Sequence, residues 1–282
     1  MKKPVSKNHF FLSVIATLFA ALVSIICLYP FYWMLVSSFR TSKSILKDPL
    51  RLWPESISFE TLADLASIGG TPLWVYVANS LVITTLSTVL SVFVTAFGAY
   101  ALVRRPDFWL FKLFRFGFLA SIMYPYMLLV IPVYLVMFKI GLLGSYAGII
   151  LFLALGPIQF FLMEQFFQTM PRSVMEAAAM DGATEGQILL QVVMPMAMPV
   201  VATASIITFL LNWSQWLPVM VISKSSDTFT LPVALLNLNG ELGVNFQGIM
   251  ALSVLTTLPV IVFFLLAQRR VMSGMTAGAV KG

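Results

Sequence analysis

Residues 171–195 read PRSVMEAAAMDGATEGQILLQVVMP, and the rest of the chain is organised around this stretch. It is the longest segment with the grammar of a water-exposed structure in a chain that is otherwise strongly apolar. Ser173 and Glu176 fit one S-x-x-E capping box, Thr184 and Gln187 fit a second, and Gly182 stands where a C′ glycine ends the first helix. Pro195 is expected to stop the second helix. The spacing predicts two short helices back to back, a helix-turn-helix knob shaped for another protein's socket.

Around this knob the chain is 60% hydrophobic and 10% charged, with a mean hydropathy of +0.95, against about 25% charged residues in soluble domains. It is an integral membrane protein, predicted to be all-α. Cys27 and His9 are single residues of their types, which excludes internal disulfides, zinc clusters and histidine-based catalytic triads. The formal net charge of +6 sits in short loops beside apolar spans, a pattern set by membrane topology and not by nucleic-acid binding.

Six transmembrane helices are expected. Residues 1–9 carry Lys2, Lys3 and Lys7, and residues 10–36 form the first span, too long for the ~7–15 residue apolar core of a signal peptide. Residues 37–74 are a polar external loop with a short helix around Phe59–Ser67. The second span is 75–103, the third 116–138 and the fourth 147–167. Pro125 and Pro132 are expected to kink or partly unwind the third span, either as ordinary kinks or as a gate beside a pathway. The knob occupies 171–195, ahead of a fifth span at 199–222, a second external loop at 223–247, a sixth span at 248–267 and a tail at 268–282. Of the 17 Lys and Arg, Lys2, Lys3, Lys7, Arg104, Arg105, Lys112, Arg115, Arg172, Arg269, Arg270 and Lys281 fall on the side shared with the termini, and six fall opposite. Both termini and the knob are therefore expected in the cytoplasm.

No G-x-x-x-x-G-K-[ST] occurs, and no Gly-Lys dipeptide, so the chain has no phosphate-cradling loop of its own. Acids within the spans are nearly limited to Glu164, and no nucleophile–base pair is suggested. The chain is expected to be no enzyme and to hold no cofactor and no metal.

Glu176-Ala177-Ala178, then Gly182, then Val192, Met194 and Pro195 resemble the EAA motif, E-A-A-x3-G-x9-I-x-L-P, of permease subunits in binding-protein-dependent ABC importers. The departures are Val192 for Ile and Met194 for Leu, both apolar. The longer run EAAAMDGA and the tail TAGAVKG are similar to the carbohydrate-uptake, MalG-like branch, and the resemblance covers nearly the whole chain. It implies the type I importer permease fold, with the EAA segment between the fourth and fifth spans as a cytoplasmic coupling helix docking in a cleft of the ATPase through Glu176, Ala177, Ala178, Asp181, Gly182 and Pro195. It also implies a tail reaching the ATPase dimer through Thr276, Gly278 and Lys281. The partners it implies are a second permease chain in a heterodimer, two ABC ATPase subunits that bind ATP and magnesium, an extracytoplasmic sugar-binding protein and the lipid of a bacterial inner membrane.

Some residues keep two readings. Glu176 completes a capping box with Ser173, meets a basic residue of the ATPase, or does both. Asn212, Trp213, Gln215 and Trp216 put amides and indoles into the fifth span, where they line a sugar path, with indole faces stacking on sugar rings, or pack helices together. The family commonly has W-N-[DE] here, where this chain has Trp213-Ser214-Gln215. Tyr124, Tyr126 and Gln159 are further path candidates. Import of another solute, such as glycerol phosphate or a polyamine, is the alternative function. A secondary transporter would favour internal repeats or midplane acids, and neither is found.

Overall fold

The computed structural model describes residues 7–59, 65–124, 126–240 and 243–279. In chain order these form α1 (Lys7–Ser37), α2 (Ser42–Lys47), a hairpin of β1 (Ser67–Ile68) and β2 (Thr71–Pro72), and α3 (Leu73–Arg104). Then come α4 (Trp109–Met123), α5 (Tyr126–Lys139), α6 (Tyr146–Leu153), α7 (Pro157–Thr169), α8 (Arg172–Met180) and α9 (Glu185–Gln187). A π-helical turn (Ile188–Val193) leads into α10 (Met194–Trp213), followed by α11 (Leu217–Ile222), a 3₁₀ turn (Ser226–Thr228), α12 (Leu231–Leu236), a hairpin of β3 (Asn239–Gly240) and β4 (Gly243–Val244), and α13 (Phe246–Ala279). Both hairpins are antiparallel. The chain divides into two compact units, residues 1–66 with 238–257, and residues 67–237 with 258–282.

In the first unit α1 carries an apolar run whose side chains are almost all exposed from Phe11 to Tyr32. Such a surface suits lipid or a neighbouring chain and not water. Pro30 sits inside α1 without ending it. Beyond α1, Arg40 is buried and its guanidinium donates to the carbonyls of Ser44 at 2.8 Å and Asp48 at 2.7 Å, which closes the C-terminal end of α2. The Gln247 amide donates to the carbonyls of Ser38 and Ser58.

The second unit is built on α3. Its buried face is small and polar, with Asn79, Ser80, Thr84, Ser87, Ser91, Thr95, Ala96 and Ala99, while Leu81, Val82, Leu86, Val89, Phe93 and Phe97 are exposed. This inside-out pattern marks a lipid-embedded helix, where association comes from close packing of small residues and not from expelling water. α3 packs on α6, α7 and α10 along that face. Near its N-terminal end, Asn79 donates to the carbonyls of Asp227 (2.7 Å) and Phe229 (2.8 Å) and accepts from the Tyr146 hydroxyl (2.6 Å).

Among the described residues four helical runs are long and apolar enough to cross a membrane: Phe11–Ser37, Leu73–Arg104, Glu185–Trp213 and Phe246–Ala267. A fifth arises if α6 and α7, bent by 46° at their junction, count as one crossing. The region expected as the third span is two helices. α4 ends at Tyr124, whose backbone is extended (φ −90°, ψ 131°), because a residue before proline is pushed out of the helical region. Pro125 itself lies outside the described residues, and Pro132 is held within α5. The helix expected over Phe59–Ser67 falls largely outside the described residues, and Ser67 begins β1. At the other end, α13 continues as helix through Ala279.

Candidate coupling site

The knob begins differently from its sequence pattern. The residue flanking α8 is Pro171, which supplies no side-chain cap, so Ser173 lies within the first turn and the Ser173–Glu176 capping box does not form. The reason is positional: a capping serine must stand outside the helix, and the fixed φ of Pro171, at −62°, lets the helix start two residues earlier. Glu176 is left exposed, and among the described residues it has no hydrogen-bond or ion-pair partner. Three alanines then carry the helix through good formers.

The exit from α8 matches the sequence pattern closely. Gly182 takes φ +84°, its N–H donates to the Ala179 carbonyl at 3.0 Å, and the Ala183 N–H donates to the Ala178 carbonyl at 3.1 Å. That pair of bonds is a Schellman motif. The second capping box also forms: the Gln187 N–H donates to Thr184 Oγ1 (3.3 Å) and the Thr184 N–H donates to Gln187 Oε1 (2.8 Å).

Pro195 does not terminate the second short helix. The Met194 N–H bonds to the carbonyl of Leu189, five residues back, and the wider π turn eases the crowding that a proline ring creates against the carbonyl four residues before it. The helix thus runs straight into α10, and Pro195 lies exposed in the first turn of α10.

One face of the knob is anchored and one is presented. Met175, Ile188, Leu189, Val193 and Ala197 are buried with Ala99, Tyr100, Leu102, Met163, Phe167 and Met170 in a single apolar core. Burying each of the larger side chains is worth about 1.5–3 kcal/mol where water is the alternative. On the opposite side Ser173, Glu176, Ala177 and Met180 succeed one another at helical spacing, with Asp181 and Gly182 exposed at the corner. Met180, at 88% exposure, is a contact candidate that the sequence pattern missed; it sits in an x position of the motif, so only exposure reveals it. A bare, flexible thioether on a capped corner is suited to filling a shallow apolar pit on another surface.

A polar bridge joins the knob to α3. Arg104 donates through Nη2 to Glu185 Oε1 (2.6 Å) and through Nε to Oε2 (3.2 Å), while the Tyr100 hydroxyl donates to Oε2 at 2.8 Å. No local pattern announces this contact, because its members are 81 and 85 residues apart. Behind α8 lies a cavity of about 510 Å³ lined in part by Leu102, Lys112, Phe167, Arg172 and Met175, with an Arg115–Glu164 ion pair of 3.1 Å on its wall.

The other candidate residues are scattered. The Asn212 amide is buried and donates to Ser87 Oγ (2.9 Å) and the Leu153 carbonyl (3.3 Å), so it ties α10 to α3 and α6. Trp213 is buried and stacks on Phe209. Gln215 is half-buried and Trp216 more exposed, both at the break between α10 and α11. Gln159 is buried, and Tyr124 is exposed. The side chain of Tyr126 is outside the described set. Thr276 and Gly278 fall on the α13 backbone with side chains not described, and Lys281 lies outside the described residues.

Residues 88–276 match the family of binding-protein-dependent transport system inner membrane components. The arabinooligosaccharides transport system permease protein AraQ of Halalkalibacterium halodurans is 30% identical over 96% of this chain and 97% of its own length. The trehalose transport system permease protein SugB of Mycobacterium tuberculosis is 32% identical over 95% and 98% respectively. A chain from a bacterial ABC transporter involved in the import of the acidic polysaccharide alginate superposes with a TM-score of 0.79 at 24% identity, covering 95% of this chain and 99% of that one. The chain belongs to the family of binding-protein-dependent transport system inner membrane components, as a multi-pass permease subunit of an ABC importer.

Proposed function

We propose that this permease takes up a sugar or oligosaccharide handed to it by an external solute-binding protein, and that residues 171–195 are its docking segment for the ATPase. The observation that carries the docking reading is the exposed stripe of Glu176, Ala177 and Met180 on a helix capped at Gly182, in a chain with no phosphate-binding loop. Glu176, unpartnered among the described residues, is ready to meet a cation, the alanines allow close approach, and Asp181 and Gly182 fix the corner. Pro195 shapes the exit into α10. The sugar reading is supported by the named relatives, which are permeases for arabinooligosaccharides and trehalose. Gln215 and Trp216 stand where the fifth span breaks, and they are the members of the Asn212–Trp216 group free to meet a solute. Six crossings put both termini and the knob in the cytoplasm, where Thr276, Gly278 and Lys281 reach the ATPase dimer. The functional assembly is a heterodimer with a second permease, two ATPase chains that hold ATP and magnesium, and the binding protein.

Affinity purification of the chain from its native membrane in mild detergent tests this reading. A P-loop ATPase and a second multi-span chain should co-purify with ATP hydrolysis. Both the ATPase chain and the hydrolysis should be lost on Glu176→Lys or Gly182→Val. A stable complex without any ATPase, or full ATPase recovery with both variants, would overturn the docking role.

A further inference from the structure

We propose that Tyr100, Arg104 and Glu185 form a positioning latch through which movement of the docking segment drives the inner end of α3; the inference rests on the docking reading above. By chain connectivity, residues 171–195 pull only on α7, which precedes them, and on α10, which comes after them. Tyr100 and Arg104 of α3 are 85 and 81 residues from Glu185 in sequence, and yet α3 is the helix on which α6, α7 and α10 pack. Whatever moves α3 therefore reaches the other three.

Two kinds of contact link the knob to α3. The apolar one, Tyr100 and Leu102 with Met175, Ile188 and Leu189, holds the knob against α3 but is non-directional. The polar one is a fork. Two guanidinium nitrogens of Arg104 and the Tyr100 hydroxyl converge on the two oxygens of Glu185, and a bidentate arginine–carboxylate pair fixes direction as well as distance. Its members are partly exposed, with side chains at 27% for Arg104 and 55% for Glu185, so the pair adds little to folding. Its geometric contribution is to stop the knob from sliding along α3. Tyr100, buried against the core, supplies the stiff third point. Arg104 also sits at the last helical residue of α3, where a cation complements the helix dipole.

The test uses the full complex with its ATPase in detergent and hydrogen–deuterium exchange with and without Mg²⁺-ATP plus vanadate. In the native complex nucleotide should change exchange both in residues 172–187 and in 97–108. With Arg104→Ala, the ATPase should still co-purify and 172–187 should still respond, but the response of 97–108 should fall at least fivefold. Tyr100→Phe should fall between, and the exchanged pair Arg104→Glu with Glu185→Arg should restore the response. An undiminished response of 97–108 in the single variants overturns the latch. So does loss of the ATPase, or faster exchange at rest, which would mark the contact as merely structural. If the native complex holds no ATPase, or 172–187 ignores nucleotide, the docking reading fails and the latch with it.

Discussion

At Gly182 the backbone stands at φ +84° with open space where a Cβ would be, so the cost of a side chain there is conformational and not steric. A non-glycine residue in the left-handed region costs about 1–3 kcal/mol, asparagine least. Gly182→Asn should therefore retain most ATP-driven uptake, whereas Gly182→Val should lose at least tenfold while the chain remains inserted. Equal activity of the two, measured as ATP-dependent uptake into vesicles, would mean that the corner is not held by this conformation. Asn212 makes a different case. Its amide is spent on Ser87 and the Leu153 carbonyl, and interhelical hydrogen bonds in membranes average about 0.6 kcal/mol. Asn212→Leu should lower the melting temperature of the purified complex by a few degrees without changing which sugars compete for uptake. A change in sugar preference would put Asn212 in the solute path after all.

For the elements, how much was legible depended on how local the determining contact is. The Schellman corner and the Thr184–Gln187 box are fixed by residues within five positions of one another, and both were legible in the sequence. The Ser173–Glu176 box has equally good spacing but fails, because a pattern of spacing does not say which residue stands first in the helix. Pro195 reads as a terminator only while the helix ahead of it is assumed to be α; a π turn changes the register of carbonyls that the ring meets. The break at Tyr124 stems from Pro125, yet Pro30 and Pro132 stay inside helices, and neighbouring contacts decide between these outcomes. The small-residue face of α3 yields its own expectation. Ser91 is buried, so Ser91→Leu should destabilise the complex by about 1–3 kcal/mol through overpacking. Val89→Leu on the exposed face should stay within about 0.5 kcal/mol. Thermal unfolding in detergent distinguishes them, and equal effects would contradict the assigned faces.

Across the whole molecule, composition alone identified a membrane protein, because a 60% hydrophobic chain has no other place to put its surface. The number of crossings was harder to read. Hydropathy merges α4 and α5 into one run and conceals the 46° bend between α6 and α7, since a bend leaves composition unchanged. The sidedness expected from the basic loops is open to direct test in a Cys27→Ser background. Ser225→Cys should react in intact cells with a membrane-impermeant thiol reagent, and Ser173→Cys should react only after the membrane is opened. Reaction of Ser173→Cys in intact cells would invert the topology and with it the docking assignment.

The exposed circumference of α1 bears on how this chain changes over evolutionary time. Along Phe11–Leu28 nearly every side chain is exposed and apolar, so the chain's own fold requires hydrophobicity and length there and not the identity of any one residue. Interchange among Leu, Ile, Val and Phe is close to neutral for this chain's own fold. The segment can change with the lipid, or in step with whatever neighbouring chain covers it, while the buried face of α3 is constrained by its contacts and the corner at Gly182 by its backbone conformation.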